Sequence, residues 1–358
     1  MKTAALMICL VLSIAGCSGN QADSGPSAAS PGLANTATPS EPPRPTPGTT
    51  QVVSPAPNPA DDKYVALADA LHRRGVAVWW ETDLVARWLE GDAAFRQAIT
   101  RLGELGKVPG TAGFKISDEI GYGDGLGSIP QATDFLRQAR DALAKVAPGK
   151  QILVDAVVPE LGCLPWRGGN QEGCAQRVRS KYPAATAAAV ESYLRAGLID
   201  RLDLSTGLLE DSTYAKWGLT RREAQTDAWN RVRAQGWESL TILQSRKALA
   251  DADGYQGTAG QAGDDAATYI DVPVGAGAKA VDIWTWRQPY QGRTVSLLAP
   301  DLSANPLWSS LVQRHRSGVQ LITHMTPSTM PGDSAGYNRE CDLAATAFTA
   351  IFVAAGTG

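Results

Sequence analysis

Five short segments of this chain carry acidic residues inside or just after apolar alternation. They read VAVWWETD at 76–83, GFKISDE at 113–119, ILVDAVV at 152–158, RLDLST at 201–206 and VDIWTWR at 281–287. In an extended strand, alternate side chains point to opposite faces. If the apolar set faces one way, then Trp79, Glu81, Lys115, Ser117, Glu119, Asp155, Asp203, Asp282, Trp284 and Trp286 face the other. A one-residue slip in register would reverse any of these assignments. Carboxyls crowded together with a lysine among them have their pKa values pushed apart, which acid/base chemistry requires. A pair of such carboxyls can cleave a glycosidic bond, one protonating the leaving oxygen and the other attacking carbon or activating water. Glu119 is the expected acid and Asp203 its partner, with Asp155 next in line. The competing reading is a salt-bridged core in which Lys115 simply pairs with Asp155.

Aromatic usage points to the same chemistry. Trp outnumbers Phe ten to five, and WTWRQPY at 284–290 holds three aromatic rings. Indole offers a flat apolar face and a polar N–H, which suits the C–H faces and hydroxyls of sugars. Trp79, Glu81, Lys115, Gln244, Arg246, Asp282, Trp284, Trp286, Arg287 and His324 are therefore expected to bind substrate, whereas Trp80, Trp88 and Trp229 read as core. No cofactor is implied. The only histidines are His72, His315 and His324 and there is no H-E-x-x-H, so no metal centre is expected. GDSAG at 332–336 matches the pattern of a nucleophile elbow, but Pro327 and Pro331 precede it and no histidine follows Ser334. GYGDGLG at 121–127 does not satisfy the dinucleotide fingerprint, and no G-K-[ST] follows it. Lys115 could form a Schiff base only with a lowered pKa, and acidic neighbours work against that.

The elements that must position these residues recur at intervals of about forty residues. Strands are expected at Val76–Trp80, Ala112–Ser117, Gln151–Val157, Ile199–Ser205, Leu240–Ser245, Ala280–Trp286 and Val319–His324. Helical patterns fall between them, at 93–105, 132–146, 184–196, 220–235 and 306–317. One strand then one helix, repeated, predicts an α/β fold with a parallel sheet closing as a (β/α)8 TIM-type barrel. An eighth strand would lie at Thr294–Ala299 or in the tail at Thr346–Val353, where a final helix fits equally. Without it, the same elements give a distorted barrel of seven strands. A doubly wound open sheet is the runner-up, but the glycine-rich phosphate turn it usually shows is missing.

On the KISDE, RLDLS and DIWTWRQPY segments, residues 63–358 resemble the secreted barrel glycoside hydrolases of bacteria. The resemblance implies an enzyme that hydrolyses an oligo- or polysaccharide. It departs from the commonest pattern of those enzymes, which places a glutamate after strand four and another after strand seven. Here strand four offers Asp203, with Glu210 beyond it, and strand seven offers His324 and no carboxylate. A carbohydrate-binding protein on the same barrel, without catalysis, is the alternative.

The N-terminus reads as an address. Lys2 is followed by an apolar run over 4–15, too short to span a bilayer but suited to a signal peptide at 1–16. Its ending, Ile14-Ala15-Gly16-Cys17, resembles the bacterial lipobox, which implies lipidation of Cys17 and anchoring to the outer face of the cell membrane. Residues 17–62 are rich in Pro, Ser, Thr and Ala with no aromatic ring, the composition of a disordered tether reaching roughly 40 Å. Cys163 and Cys174 flank a Gly-containing loop, and export makes a disulfide between them the expectation. The formal net charge of the 358-residue chain is −3 with no basic stripe, which argues against a nucleic-acid partner.

Overall fold

The computed structural model describes residues 62–164, 171–206, 211–244, 249–290 and 292–354. The leader, Cys17, nearly all of the tether, Glu210 and Arg246 lie outside the described residues, as does the side chain of Gln244.

Nine strands form one sheet. They are β1 (Ala77–Glu81), β2 (Thr111–Lys115), β3 (Gln151–Val157), β4 (Arg201–Ser205), β5 (Thr241–Gln244), β6 (Ala280–Tyr290), β7 (Arg293–Ser296), β8 (Leu321–Met325) and β9 (Ala350–Ala354). β1 to β6 pair in sequence order and all parallel; β6 then pairs with β8, β8 with β9, and β9 with β1. The ring therefore closes with eight parallel strands, and helices fill the crossovers: this is a (β/α)8 TIM barrel. Both candidates for the eighth strand are extended, but they differ in role. The tail strand β9 closes the barrel, whereas β7 folds back antiparallel on β6 and stays outside the ring. Gly292, at φ +79°, sits in the turn that reverses the chain there. The seven-stranded and open-sheet alternatives are thereby excluded.

Strand alternation sorts the apolar residues into two populations. Val78, Trp80, Phe114, Ile116, Val154, Leu202, Leu204, Val281, Ile283, Ile351 and Val353 belong to the outer core beneath the helices. Trp79, Leu153, Ile242, Ala280, Ile322, Ala350 and Phe352 form a separate cluster inside the barrel. Trp79 fits there because β2 carries Gly113: a Cβ at that position would lie 2.6 Å from the Trp79 ring and 2.2 Å from the Gln151 carbonyl oxygen. Trp80, facing outward, donates its indole N–H to Leu105 O and Thr111 Oγ1, each at 3.0 Å. Helix boundaries follow local chemistry. Thr220 and Glu223 make a reciprocal capping box at the start of Arg221–Gln235, which ends at Gly236 in the left-handed region.

Cys163 and Cys174 are joined by a disulfide, which fastens the segment after β3 to the helix Gln171–Lys181. A link closing so short a loop contributes on the order of 3 kcal/mol by limiting the unfolded chain. Arg231 adds a second fastening, donating to the carbonyls of Glu160 and Cys163, both at 2.8 Å. Cys341 is buried as a free thiol, and burial pushes its pKa up to about 11. Among the described residues no helix is long and apolar enough to cross a membrane.

Candidate active site

Directly above the apolar cluster in the barrel lies a charged layer with members from most of its strands. Lys115, at the end of β2, places Nζ 2.9 Å from Asp203 Oδ2 on β4, 3.1 Å from Glu81 Oε1 on β1 and 3.5 Å from Asp155 Oδ2 on β3. The other oxygen of Glu81 lies 2.9 Å from His324 Nδ1 on β8, and His324 Nε2 lies 2.8 Å from Asp282 Oδ2 on β6. Phe352 on β9 floors the layer, its ring centroid 4.9 Å from Lys115 Nζ and 5.0 Å from the imidazole. The register brings these groups to a common height: Glu81 pairs with Lys115, Asp155 with Asp203, and His324 with Phe352.

Buried charges are tolerated only when paired, and here the pairing is continuous. Burial alone would raise the Glu81 carboxyl; the cationic His324 and Lys115 instead hold it far below the ordinary carboxylate value. Burial likewise opposes the charge on Lys115 and His324. The carboxylates reverse the effect, so Lys115 rises well above its usual value and His324 is pushed up to about 10. For Asp203, burial prevails over Lys115 and raises its pKa, with Asp282 and Asp155 adding to the rise.

Lys115, Asp155, Asp203, Asp282 and His324 are all at most 3% exposed, whereas the Glu81 side chain is 22% exposed and opens towards the C-terminal ends of the strands. Above it lies the turn after β2. Ile116 N–H donates to Leu153 O and Ile120 N–H to Asp155 O, so this turn is stitched to β3. Asp118 is half-buried on it, and its pKa rises to about 7. Burial is the main cause, then Asp155; Lys115 opposes, and Glu119 and Glu81 add to the rise. An aromatic ledge stands on β6, where Trp284 donates its indole N–H to Gln288 Oε1 at 2.9 Å and meets Tyr290 edge-on at 5.1 Å.

The residues predicted from strand alternation separate into three groups. Glu81, Lys115, Asp155, Asp203, Asp282 and His324 do converge inside the barrel. The two core carboxylates Asp155 and Asp203 are corrected as reacting groups: both are fully buried against Lys115, where no sugar can touch them. Lys115 and Asp282 are corrected as substrate contacts for the same reason. Glu119 is half-buried with φ at +58° in the turn past β2, because regular extension ends at Lys115.

Trp79, Trp286 and Arg287 need a different correction. Trp79 does face inward, but it fills the apolar cluster and is 6% exposed. Trp286 and Arg287 belong to the outer side: Trp286 donates to Glu340 Oε2 at 2.9 Å and packs on Trp308 and Phe348, and Arg287 pairs with Glu340 Oε1 at 2.8 Å. Between Ile283 and Arg287 the β6–β8 register shifts, so strict alternation cannot be carried through it. Asp118 was missed because parity assigned it outward. The usable signal was its place between Ser117 and Glu119 past the last apolar strand residue.

No family model matches the chain, and no curated protein matches it in sequence. Among solved structures it is similar to pyruvate carboxylase from Rhizobium etli, with a TM-score of 0.40 and 10% identity over 82% of this chain. This chain spans 24% of that protein's length. It is also similar to methylaspartate ammonia lyase from Clostridium tetanomorphum, with a TM-score of 0.38 and 12% identity, covering 79% of this chain and 54% of that one. A sugar phosphate isomerase/epimerase from Parabacteroides distasonis gives a TM-score of 0.40 and 14% identity, covering 77% and 89%. These likenesses are of the barrel alone.

Proposed function

We propose that residues 63–358 form an extracytoplasmic glycoside hydrolase in which Asp118 is the proton donor and Glu81 the ionised partner. One observation carries this reading: two carboxyls at neighbouring strand ends are driven in opposite directions. Asp118 rises to about 7, so it holds a proton to give near neutral pH, while Glu81 between Lys115 and His324 stays ionised. Such a pair is what glycoside cleavage needs: Asp118 protonates the leaving oxygen, and Glu81 attacks the anomeric carbon or takes a proton from water. Trp284 and Tyr290 offer the apolar faces for sugar rings.

The pH dependence follows. Asp118 must be protonated to act, so kcat should fall as pH rises through about 7. Asp118→Asn should slow cleavage of an unactivated polysaccharide by about a hundredfold or more. A basic limb that persists unchanged in Asp118→Asn would remove Asp118 from this role.

Each interior carboxylate has a cationic neighbour, Lys115 or His324, which favours a second reading, a barrel that binds carbohydrate without cleaving it. Incubation of the full chain with cell-wall and plant oligosaccharides for hours, with product analysis beside calorimetry, separates the two. Saturable heat with no product identifies the binder, and product identifies the hydrolase.

The location is proposed on the same footing. Cys17 carries lipid and the 17–62 tether holds the barrel off the outer face of the membrane. Cys17→Ala should move the protein from the membrane to the soluble fraction; an unchanged membrane fraction would refute the anchor.

A further inference from the structure

Lys115 and His324 each occupy one oxygen of a buried aspartate and leave the other open. Asp203 Oδ2 meets Lys115 Nζ at 2.9 Å, and Asp282 Oδ2 meets His324 Nε2 at 2.8 Å. Among the described residues no hydrogen-bond donor meets Asp203 Oδ1 or Asp282 Oδ1, although both side chains are fully buried. A buried carboxylate oxygen without a partner is costly, and here two occur in one layer. Among the described residues, the layer sets the carboxyls of Glu81, Asp155, Asp203 and Asp282 against Lys115 and His324.

One ligand atom from each of Asp203, Asp282 and His324 lies within 4.8 Å of the other two. His324 is already oriented as a ligand would be. Its Nδ1 faces Glu81 Oε2 at 2.9 Å, and a metal-binding imidazole characteristically gives its second N–H to a carboxylate in this way. That bond leaves Nε2 facing Asp282, with the second proton of the cationic imidazole between them. Metal binding would displace that proton, since a ligating imidazole is neutral and a ligating carboxylate ionised. Donors bound side by side on an ion at about 2.0–2.2 Å are themselves about 3 Å apart, so the separation also suits a shared cation.

We propose that Asp203, Asp282 and His324 hold one divalent transition ion inside the barrel, with Asp203 Oδ1, an Asp282 oxygen and His324 Nε2 as its protein donors. Two carboxylates and an imidazole suit Zn2+ or Mn2+, and the nitrogen donor disfavours Mg2+ and Ca2+. The cation takes the position of the Nε2 proton. His324 keeps Nδ1–H on Glu81, so Glu81 stays clamped. The site lies below the exposed carboxyls, and its occupancy is independent of whether the domain cleaves sugars.

The test reads metal content and stability, not activity. The full mature chain is extracted from membranes in detergent without chelator and assayed by elemental mass spectrometry. About one equivalent of Zn or Mn per chain is expected. After chelator dialysis, zinc or manganese chloride at a hundredfold excess over Kd should raise Tm by about 5 °C, with no rise from magnesium. Asp282→Asn and His324→Gln should each weaken metal binding at least about a hundredfold, while Glu104→Gln on the outer surface should not. Less than about a tenth of an equivalent in the wild-type chain, together with no Tm rise on adding either metal back, overturns the proposal.

Discussion

Glu81→Gln should lower kcat on polysaccharide about a thousandfold, with KM changed by less than about threefold. Glutamine keeps the shape, and its carbonyl oxygen can still accept from one of Lys115 and His324, while the charge that reacts is lost. Removing a group that acts chiefly in the transition state lowers kcat and kcat/KM together. The contrast with Asp118→Asn makes the assignment sharp. A glycoside with a strongly acidic leaving group needs no proton donor, so Asp118→Asn should cleave it nearly as fast as wild type. Glu81→Gln should remain about a thousandfold slow on the same compound, because bond formation to carbon or water still needs the carboxylate. If Glu81→Gln retains activity within threefold on both substrates, Glu81 is a structural member of the charged layer and the reacting partner of Asp118 lies elsewhere.

The sequence carried the barrel and its interior because strand periodicity is a strong signal wherever the outer face is continuously apolar. RLDLS and ILVDAVV set Asp203 and Asp155 among leucine, isoleucine and valine, and both aspartates do face inward. The same rule failed where the backbone leaves regular extension. Glu119 lies past the end of β2, and Trp286 lies within the shifted β6–β8 pairing, so counting by two misplaced each of them. The tail strand was ambiguous because AIFVA is short and apolar throughout, and such a run suits a strand or a buried helix. Depth was also hidden. Alternation says which face a side chain takes but not how far along the barrel axis it sits, so Trp79 at the floor and Glu81 at the opening looked equivalent. Asp203 appeared available for chemistry because nothing in RLDLS reveals that Lys115, 88 residues earlier, reaches it.

That long-range contact gives the second large expectation. Lys115→Met should destabilise the fold by about 3–5 kcal/mol, because it removes the buried cation beside Asp155 and Asp203 and leaves Glu81 with His324 alone. For a chain of this size the loss corresponds to a fall in Tm of roughly 8–15 °C. Methionine matches the lysine stem in length and is apolar, so packing against Phe352 survives and the deficit is chiefly electrostatic. The pH dependence separates charge from packing. Without the ammonium, the folded state resists ionisation of these carboxyls more than the unfolded state does. Stability is then retained where both states are protonated and lost as pH rises, so the gap to wild type should widen from about pH 4 to pH 7. Asp203→Asn added to Lys115→Met removes the nearest stranded carboxylate and should restore a substantial share of the loss. The double-mutant cycle measures that coupling. A Lys115→Met deficit that stays below 1 kcal/mol at neutral pH, or that does not vary with pH, would mean that Lys115 does not balance the charge of the barrel interior.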